Sequence, residues 1–370
     1  NIKCPSCNGE LSDVKVFNLM SKTFVGPTEE NIAYLRPETA QGIFINFKNI
    51  LYSTRAKLPF AVIQFGKSFR NEISPRNVLL RMREFRQAEL QIFLDPEKIN
   101  ECEAWGDIKN YKLIILPVNS KSVIKVTCKE LEKKLNLPRF YIYHLLIMQK
   151  FYLELLGIPP GRFRLRELSD EEKAFYNKYH WDVEVYFDSF SSFKEVAGVH
   201  YRTDHDLKGH QLVSKQSMEI IFNGKKILPH VLELSFGIDR NIYMLLDNFY
   251  IEDNGRNVLR IPPCLSPYDV AVFPLVNKDN LQDIARNVAS MLSSSGLKVF
   301  YDDSGSIGRR YRRQDEIGTY LCITIDYESK EKNDCTIRYR DSMKQERIKI
   351  DKLEEKIKRV LSNEENDRGL

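Results

Sequence analysis

The chain is expected to fold as an α+β domain, an antiparallel sheet flanked by helices, followed by a smaller α/β domain. Three observations carry that expectation. Residues 61–95, AVIQFGKSFRNEISPRNVLLRMREFRQAELQIFLD, alternate in polarity on both sides of a loop, as two antiparallel strands do. A proline cluster at 261–267, IPPCLSP, reads as a linker. Beyond it the strands YDVAVFPL, LKVFYDD, YLCITID and CTIRYR alternate with the helices LQDIARNVASMLSSSG and, roughly, RRYRRQDEIG, a pattern of a mostly parallel sheet. The domains are accordingly drawn at 1–262 and 263–370.

The 370 residues are 42% hydrophobic and 29% charged, enough to bury sizeable cores in two or three domains. No run approaches the roughly 20 apolar residues of a membrane helix. The most apolar stretch, 140–158, is interrupted by His144, Gln149, Lys150 and Glu154 and reads as a core helix. The start, NIKCPSC, is no signal peptide, and seven scattered cysteines point to a reducing, cytoplasmic compartment. The net charge of +5 permits a nucleic-acid partner without requiring one. From Leu265 onward 19 Lys and Arg face 19 Asp and Glu, so the excess lies upstream.

In chain order, Cys4 and Cys7 form a Cys-x-x-Cys knuckle. It reads either as two thiolates of a zinc site, which needs four ligands, or as two free thiols in a turn. Arg36 and Glu38 are placed on one strand face before a helix starting at Thr39, with Ile43, Phe44 and Phe47 at helical spacing. In the hairpin, Arg70 and Glu72 point the same way. Phe85, Gln87, Glu89 and Gln91 share a face, opposite Ala88, Leu90 and Ile92. Charges with one aromatic make a floor for a polar, partly flat ligand such as a nucleotide. An arginine fork suits a phosphate, a glutamate an exocyclic amine, and a phenylalanine ring a base. An amphipathic hairpin with solvated charges is the other reading.

Residues 97–180 show strands in IKNYKLIILPV and KSVIKVTC and helices in KELEKKLNL and 141–158, the last ending at Gly157 before Pro159 and Pro160. DVEVYF is a strand, followed by the Gly-interrupted strand KEVAGVHYRTDHDL. There His200 and His205, with Asp204 and Asp206, read as an exposed polar loop rather than a metal site. PHVLELSFGIDRNIYMLLDNFY reads as strand, Gly turn and helix, with Glu233 and Ser235 on one strand face and Ile242, Leu245, Leu246 and Phe249 as core. The tail from Asp351 is a charged helix that frays.

FRNE followed by R-x-x-E-F after a loop resembles motif 2 of class II aminoacyl-tRNA synthetases. RPETAQGIFINFKN (36–49), SFRNEISPR (68–76) and MREFRQAEL (82–90) are similar to glycyl-tRNA synthetases of the archaeal and eukaryotic type, and ELSFGIDR resembles motif 3. The resemblance implies that Arg70 binds the ATP α-phosphate, Glu72 the adenine edge and Arg240 the γ-phosphate, these three being the catalytic set. Phe85 would stack on adenine and Arg81 lie near the phosphates, with Asn71, Leu80, Val196, Gly237 and Asp239 also at ATP. Glycine would meet Glu38, Glu89 and Glu233 at its ammonium, Arg202 at its carboxylate, and Phe85, Ser235 and Gly237 around it. Magnesium would sit at Glu195 and Glu233, and zinc at Cys4 and Cys7. Arg76 would touch the tRNA acceptor end, and residues about 97–180 resemble the family's insertion between motifs 2 and 3. The second domain resembles the anticodon-binding domain of class IIa synthetases, with Arg309, Arg310, Arg312 and Arg313 toward RNA.

The implied reaction joins glycine and ATP into glycyl-adenylate, releases pyrophosphate, and passes glycine to the 3′ end of tRNA(Gly). The family also implies a homodimer, yet motif 1, which builds its interface, is not found here, so a separate N-terminal fragment is an expected partner. Two rivals remain at this stage: a non-catalytic synthetase-like accessory or RNA-binding protein, and a class IIa ligase for threonine, serine or proline.

Overall fold

The computed structural model describes residues 3–10 and 16–362. The chain forms two compact units. One comprises the residues up to His144 with Arg166–Val183 and Glu195–Tyr243; the other comprises Leu145–Leu165, Glu184–Lys194 and the chain from Met244.

An eight-stranded sheet organises the first unit, with Phe163–Leu165, Glu184–Phe187 and Ser192–Lys194 of its strands counted in the other. Its strands are β1 (Phe60–Phe69), β2 (Glu84–Leu94), β3 (Lys112–Leu116), β4 (Ile124–Thr127), β5 (Phe163–Glu167), β6 (Tyr179–Phe187), β7 (Ser192–Thr203) and β8 (His230–Gly237). They run in the order β1-β2-β8-β7-β6-β5-β3-β4. β1, β2, β8 and β7 are antiparallel in turn, so strands far apart in sequence become neighbours. The two strands expected in the insertion do form, and they extend this same sheet at its edge.

Helix α1 (Ala40–Thr54) buries Ile43, Phe44, Phe47 and Leu51 at the expected spacing. Phe47 and Phe60 pack on Phe93 of β2 with ring centroids 4.6 and 5.1 Å away. The pocket face of β2 is therefore apolar at one end and polar along Gln87, Glu89 and Gln91, all buried. Arg36 and Glu38, expected on a strand, lie instead in an irregular segment between the short strand Ile32–Tyr34 and α1. Pro37 fixes its own φ and leaves no N–H to pair.

Helices α2 (Cys128–Leu135), α3 (Arg139–Lys150), α4 (His205–Ser214) and α5 (Ile238–Phe249) complete the expected set up to residue 250. In α5 the expected core is only partly right. Ile242 and Leu246 are 46% and 45% exposed, whereas Met244 is fully buried. Helical spacing gives an apolar stripe, but not what covers it.

The second unit holds a five-stranded sheet of β9 (Val270–Pro274), β10 (Val299–Tyr301), β11 (Leu321–Ile325), β12 (Asp334–Tyr339) and β13 (Gln345–Lys349), in the order β10-β9-β11-β12-β13. The first three are parallel, and the last two are added antiparallel. Helices α6 (Leu281–Ser294), α7 (Ile307–Ile317) and α8 (Leu353–Leu361) accompany the sheet. The core gathers Val270, Val272, Leu281, Val288, Leu292, Ile323 and Ile357. Of the tail from Asp351, expected to be a fraying charged helix, Leu353–Leu361 is a helix that buries Leu353, Ile357 and Val360, and the residues beyond Ser362 lie outside those described. Among the described residues no helix is long and apolar enough to cross a membrane.

Candidate active site

A cavity of about 360 Å³ opens on the polar face of β2, β8 and β7. Its floor is set by register. Gln91, Glu233 and His200 lie side by side across β2, β8 and β7; Glu89, Ser235 and Gly198 form the next row; Gln87 and Gly237 follow. Residues two apart on a strand share a face, so this grid assembles side chains drawn from three separate segments.

At one end sit the carboxylates. Glu233 is 3% exposed, and its Oε2 accepts from Gln91 Nε2 (2.6 Å) and Arg202 NH1 (2.9 Å). Glu89 is 2% exposed, and its Oε2 accepts from the backbone N–H of Thr39 (2.9 Å) and from the Thr39 hydroxyl. Thr39 thus spends its hydroxyl on the site rather than on capping α1. Burial, with Glu233 and Glu38 nearby, pushes the Glu89 carboxyl up to about 7. Glu38 lines the same end, 3.6 Å from Arg202.

Arg202, expected to clamp a substrate carboxylate, is paired with carboxylates of the chain itself. Its Nε and NH2 hold Asp206 at 2.8 Å each, and its NH1 holds Glu233. The rings of Tyr176 and Phe44 lie 4.6 and 5.4 Å from its Cζ. Burial opposes its charge, but Glu233 and Asp206 overcome this and hold it charged, well above its ordinary value. One guanidinium organises Glu38, Glu233 and Asp206, while Glu89 lies beside them. The surplus of negative charge suits a small cation.

At the other end sit the arginines. Arg70 follows β1 directly, its backbone N–H bonded to the Arg83 carbonyl (2.9 Å), and its guanidinium lies 5.2 Å from the Phe85 ring. Arg240, in the first turn of α5, reaches Glu195 Oε2 (3.0 Å) and the Leu80 carbonyl (3.1 Å). A Cβ at Gly237 would come within 3.1 Å of Arg240 Cδ, so glycine there lets the side chain cross the turn. Glu72 and Arg81 face each other at 3.9 Å. Asp239 accepts from the Arg86 backbone at 2.6 Å.

Of the expected site residues, Glu38, Arg70, Glu72, Leu80, Arg81, Phe85, Glu89, Glu195, Arg202, Glu233, Ser235, Gly237, Asp239 and Arg240 all line this one cavity. Asn71 and Val196 do not. The Asn71 amide bonds the Asn18 carbonyl, and Val196 is buried with its carbonyl held by Asn241. Arg76 lies in the exposed loop between β1 and β2, its N–H on the Arg81 carbonyl. The loop read at His200–Asp206 is corrected: His200, Tyr201 and Arg202 end strand β7, and Asp206 is buried in α4. The sequence reading missed Tyr176, His180 and Asp182: no motif marks them, and His180 and Asp182 reach the cavity on β6, which lies beside β7.

The four arginines of α7 divide. Arg310 is 2% exposed and donates to the carbonyls of Pro274, Asp303 and Gly305, so it staples the fold instead of facing RNA. Arg313 holds Asp302 and the Ser304 carbonyl. Arg309 and Arg312 are exposed, Arg312 with one bond to the Gly255 carbonyl. At the N-terminal knuckle, the backbone amides of Ser6 and Cys7 hold the Cys4 thiol below its ordinary value. That suits a thiolate ligand, yet among the described residues no group of three potential metal ligands converges. Two donors do not make a tetrahedral zinc site.

Residues 24–249 match the family described as tRNA synthetase class II core domain (G, H, P, S and T), and residues 269–360 match the anticodon binding domain family. The chain is 37% identical to the glycine–tRNA ligase of Pyrococcus horikoshii, over 97% of this chain and 77% of that protein. It is 40% identical to the glycine–tRNA ligase of Treponema denticola, over 97% of this chain and 74% of that protein. With a class II core and an anticodon-binding domain in order, and such relatives along nearly its whole length, the chain belongs to the glycine–tRNA ligase family of class II tRNA synthetases.

Proposed function

We propose that this chain activates glycine with ATP and transfers it to the 3′ end of tRNA(Gly). The observation that carries this reading is one cavity with carboxylates Glu38, Glu89 and Glu233 at one end and Arg70 and Arg240 at the other. Glycine's ammonium belongs with the carboxylates, and its carboxylate then points toward an α-phosphate held by Arg70. Attack on that phosphorus in line forms the acyl-phosphate bond as the bond to pyrophosphate breaks. Arg240 takes charge developing on the departing phosphates, and Phe85 stacks on adenine while Glu72 accepts from its amine. No covalent enzyme intermediate is required; catalysis rests on positioning and on charge complementarity.

Magnesium, the family's expected metal, would supply positive charge to offset that of the phosphates. Glu195, half exposed beside Arg240, fits such a site. Glu233 fits it less well, with Oε2 already holding Arg202 and Gln91. The domain boundary proposed is 262/263, and the oligomer expected is a homodimer, which sedimentation of the purified chain would test.

Glycine-dependent ATP–pyrophosphate exchange tests the reading. Exchange with glycine, and none with alanine, serine or threonine, is the expected result. Silence with all four defeats it and favours a non-catalytic relative.

The raised Glu89 carboxyl supplies a second test. Below about pH 7 it takes up a proton and stops attracting an ammonium, so the KM for glycine should rise on acidification, and Glu89→Gln should raise KM and flatten that profile. The stability effect has the opposite sense. A carboxyl whose folded value lies above its unfolded one favours folding while protonated, and that contribution is lost as pH rises through about 7. Glu89→Gln should therefore gain up to roughly 3 kcal/mol of stability at pH 8, read by urea unfolding, and gain little near pH 4.

A further inference from the structure

Two positions in the rows of the cavity floor lack a side chain, Gly237 and Gly198, and the second leaves a gap. Gly198 lies beside Ser235 in the row that begins with Glu89, and His200 lies beside Glu233 in the next row. Neighbouring strands are about 4.8 Å apart and successive rows about 7 Å, so Gly198 leaves a hollow next to Ser235. A Cβ built on Gly198 would land on His200 Nε2. The imidazole therefore lies back along its own strand and fills that hollow. Accordingly His200, Ser235 and Glu233 face the cavity while Gly198 does not.

The ring is held in place on several sides. His180 packs against it with centroids 4.0 Å apart and planes 32° apart, and His180 Nε2 is itself 3.1 Å from Asp182 Oδ1. His200 Nδ1 is 3.5 Å from Glu233 Oε1 and 3.5 Å from Asn177 Nδ2. Burial, then His180 and Arg202, keeps the His200 imidazole well below its ordinary value and so uncharged. It adds bulk beside the carboxylates without adding a cation that would compete for them.

We propose that His200, braced by His180, is a specificity-determining residue: its ring occupies the space that a substituent on the substrate's α-carbon would need. The inference rests on the glycine-activating reading above. A hydrophobic or shape contact of one methyl gives only about 10- to 200-fold discrimination. A rigid wall placed where the α-substituent must go adds exclusion that the charges cannot supply, since every α-amino acid carries the same ammonium.

The test compares ATP–pyrophosphate exchange with glycine, alanine and serine in the parent, His200→Ala, His200→Gln and His180→Ala. In His200→Ala the alanine-to-glycine ratio of kcat/KM should rise at least about tenfold through a lower alanine KM, in line with the worth of one methyl contact. His200→Gln, which refills the hollow, should keep the ratio near that of the parent. An unchanged ratio in a His200→Ala protein that still exchanges glycine overturns the proposal. If His200→Ala does not fold, His180→Ala decides: releasing the ring should raise the ratio partway, and no rise overturns it. A parent without glycine exchange instead overturns the functional reading, and the proposal falls with it.

Discussion

Replacing Arg70 by alanine should lower glycine-dependent ATP–pyrophosphate exchange by about a hundred- to a thousandfold, the usual effect of losing one preorganised charge contact at a reacting group. The fold should survive. Arg70 is exposed, and its side chain makes one bond to the Pro37 carbonyl at 3.3 Å and one packing contact with Phe85. The backbone bond to Arg83 that closes the hairpin is independent of the side chain. Circular dichroism and the melting temperature should thus stay close to the parent while exchange collapses. Arg70→Lys should recover only part of the rate, because an ammonium offers a point charge in place of a planar fork. Exchange within tenfold of the parent in Arg70→Ala would remove Arg70 from the phosphate site.

The largest stability effect should come from Asp315, in the second unit. This carboxylate is fully buried in α7 and takes both terminal nitrogens of Arg338, at 2.9 and 3.0 Å, and NH1 of Arg256 at 3.1 Å. Arg338 and Arg256 are 5% and 4% exposed. Asp315→Ala would strand the Arg338 guanidinium in the interior, while Arg256 keeps Asp253 at 2.7 Å, and breaking a buried pair from one side typically costs about 3–5 kcal/mol. Urea unfolding of the whole chain should show that loss. A change below about 1 kcal/mol would mean that water or backbone carbonyls take over the Arg338 cation. Arg256 already has one such partner, the Arg340 carbonyl at 2.9 Å, so the effect should come chiefly through Arg338.

Much of the site could be read before folding because its residues lie in short strings with a strand period. Arg70, Phe85, Glu89, Glu233, Ser235 and Arg240 were each placed on a face by alternation or at a turn by glycine, and one cavity collects them. Arg202 shows the limit. The family resemblance suggested a substrate contact, but the number of carboxylates around it is a property of three segments meeting. Only their meeting shows the guanidinium to be saturated. Arg310 fails in the same way: a basic string looks solvated until its partners turn out to be carbonyls of the same domain.

The sequence alone determined the fold class, the strands and most helices, the faces of the hairpin and the order of the motifs. These depend on periods of 2 and 3.6 and on local turn chemistry. Tertiary structure decided which strands became neighbours, with β8 inserted between β2 and β7 although about 140 residues separate it from β2. That pairing sets the rows of the floor and makes His200, an apparent loop residue, a partly buried wall, while β6 beside β7 brings His180 to the cavity. Register between distant strands is a collective result of packing and hydrogen bonding, and no local window of residues contains it.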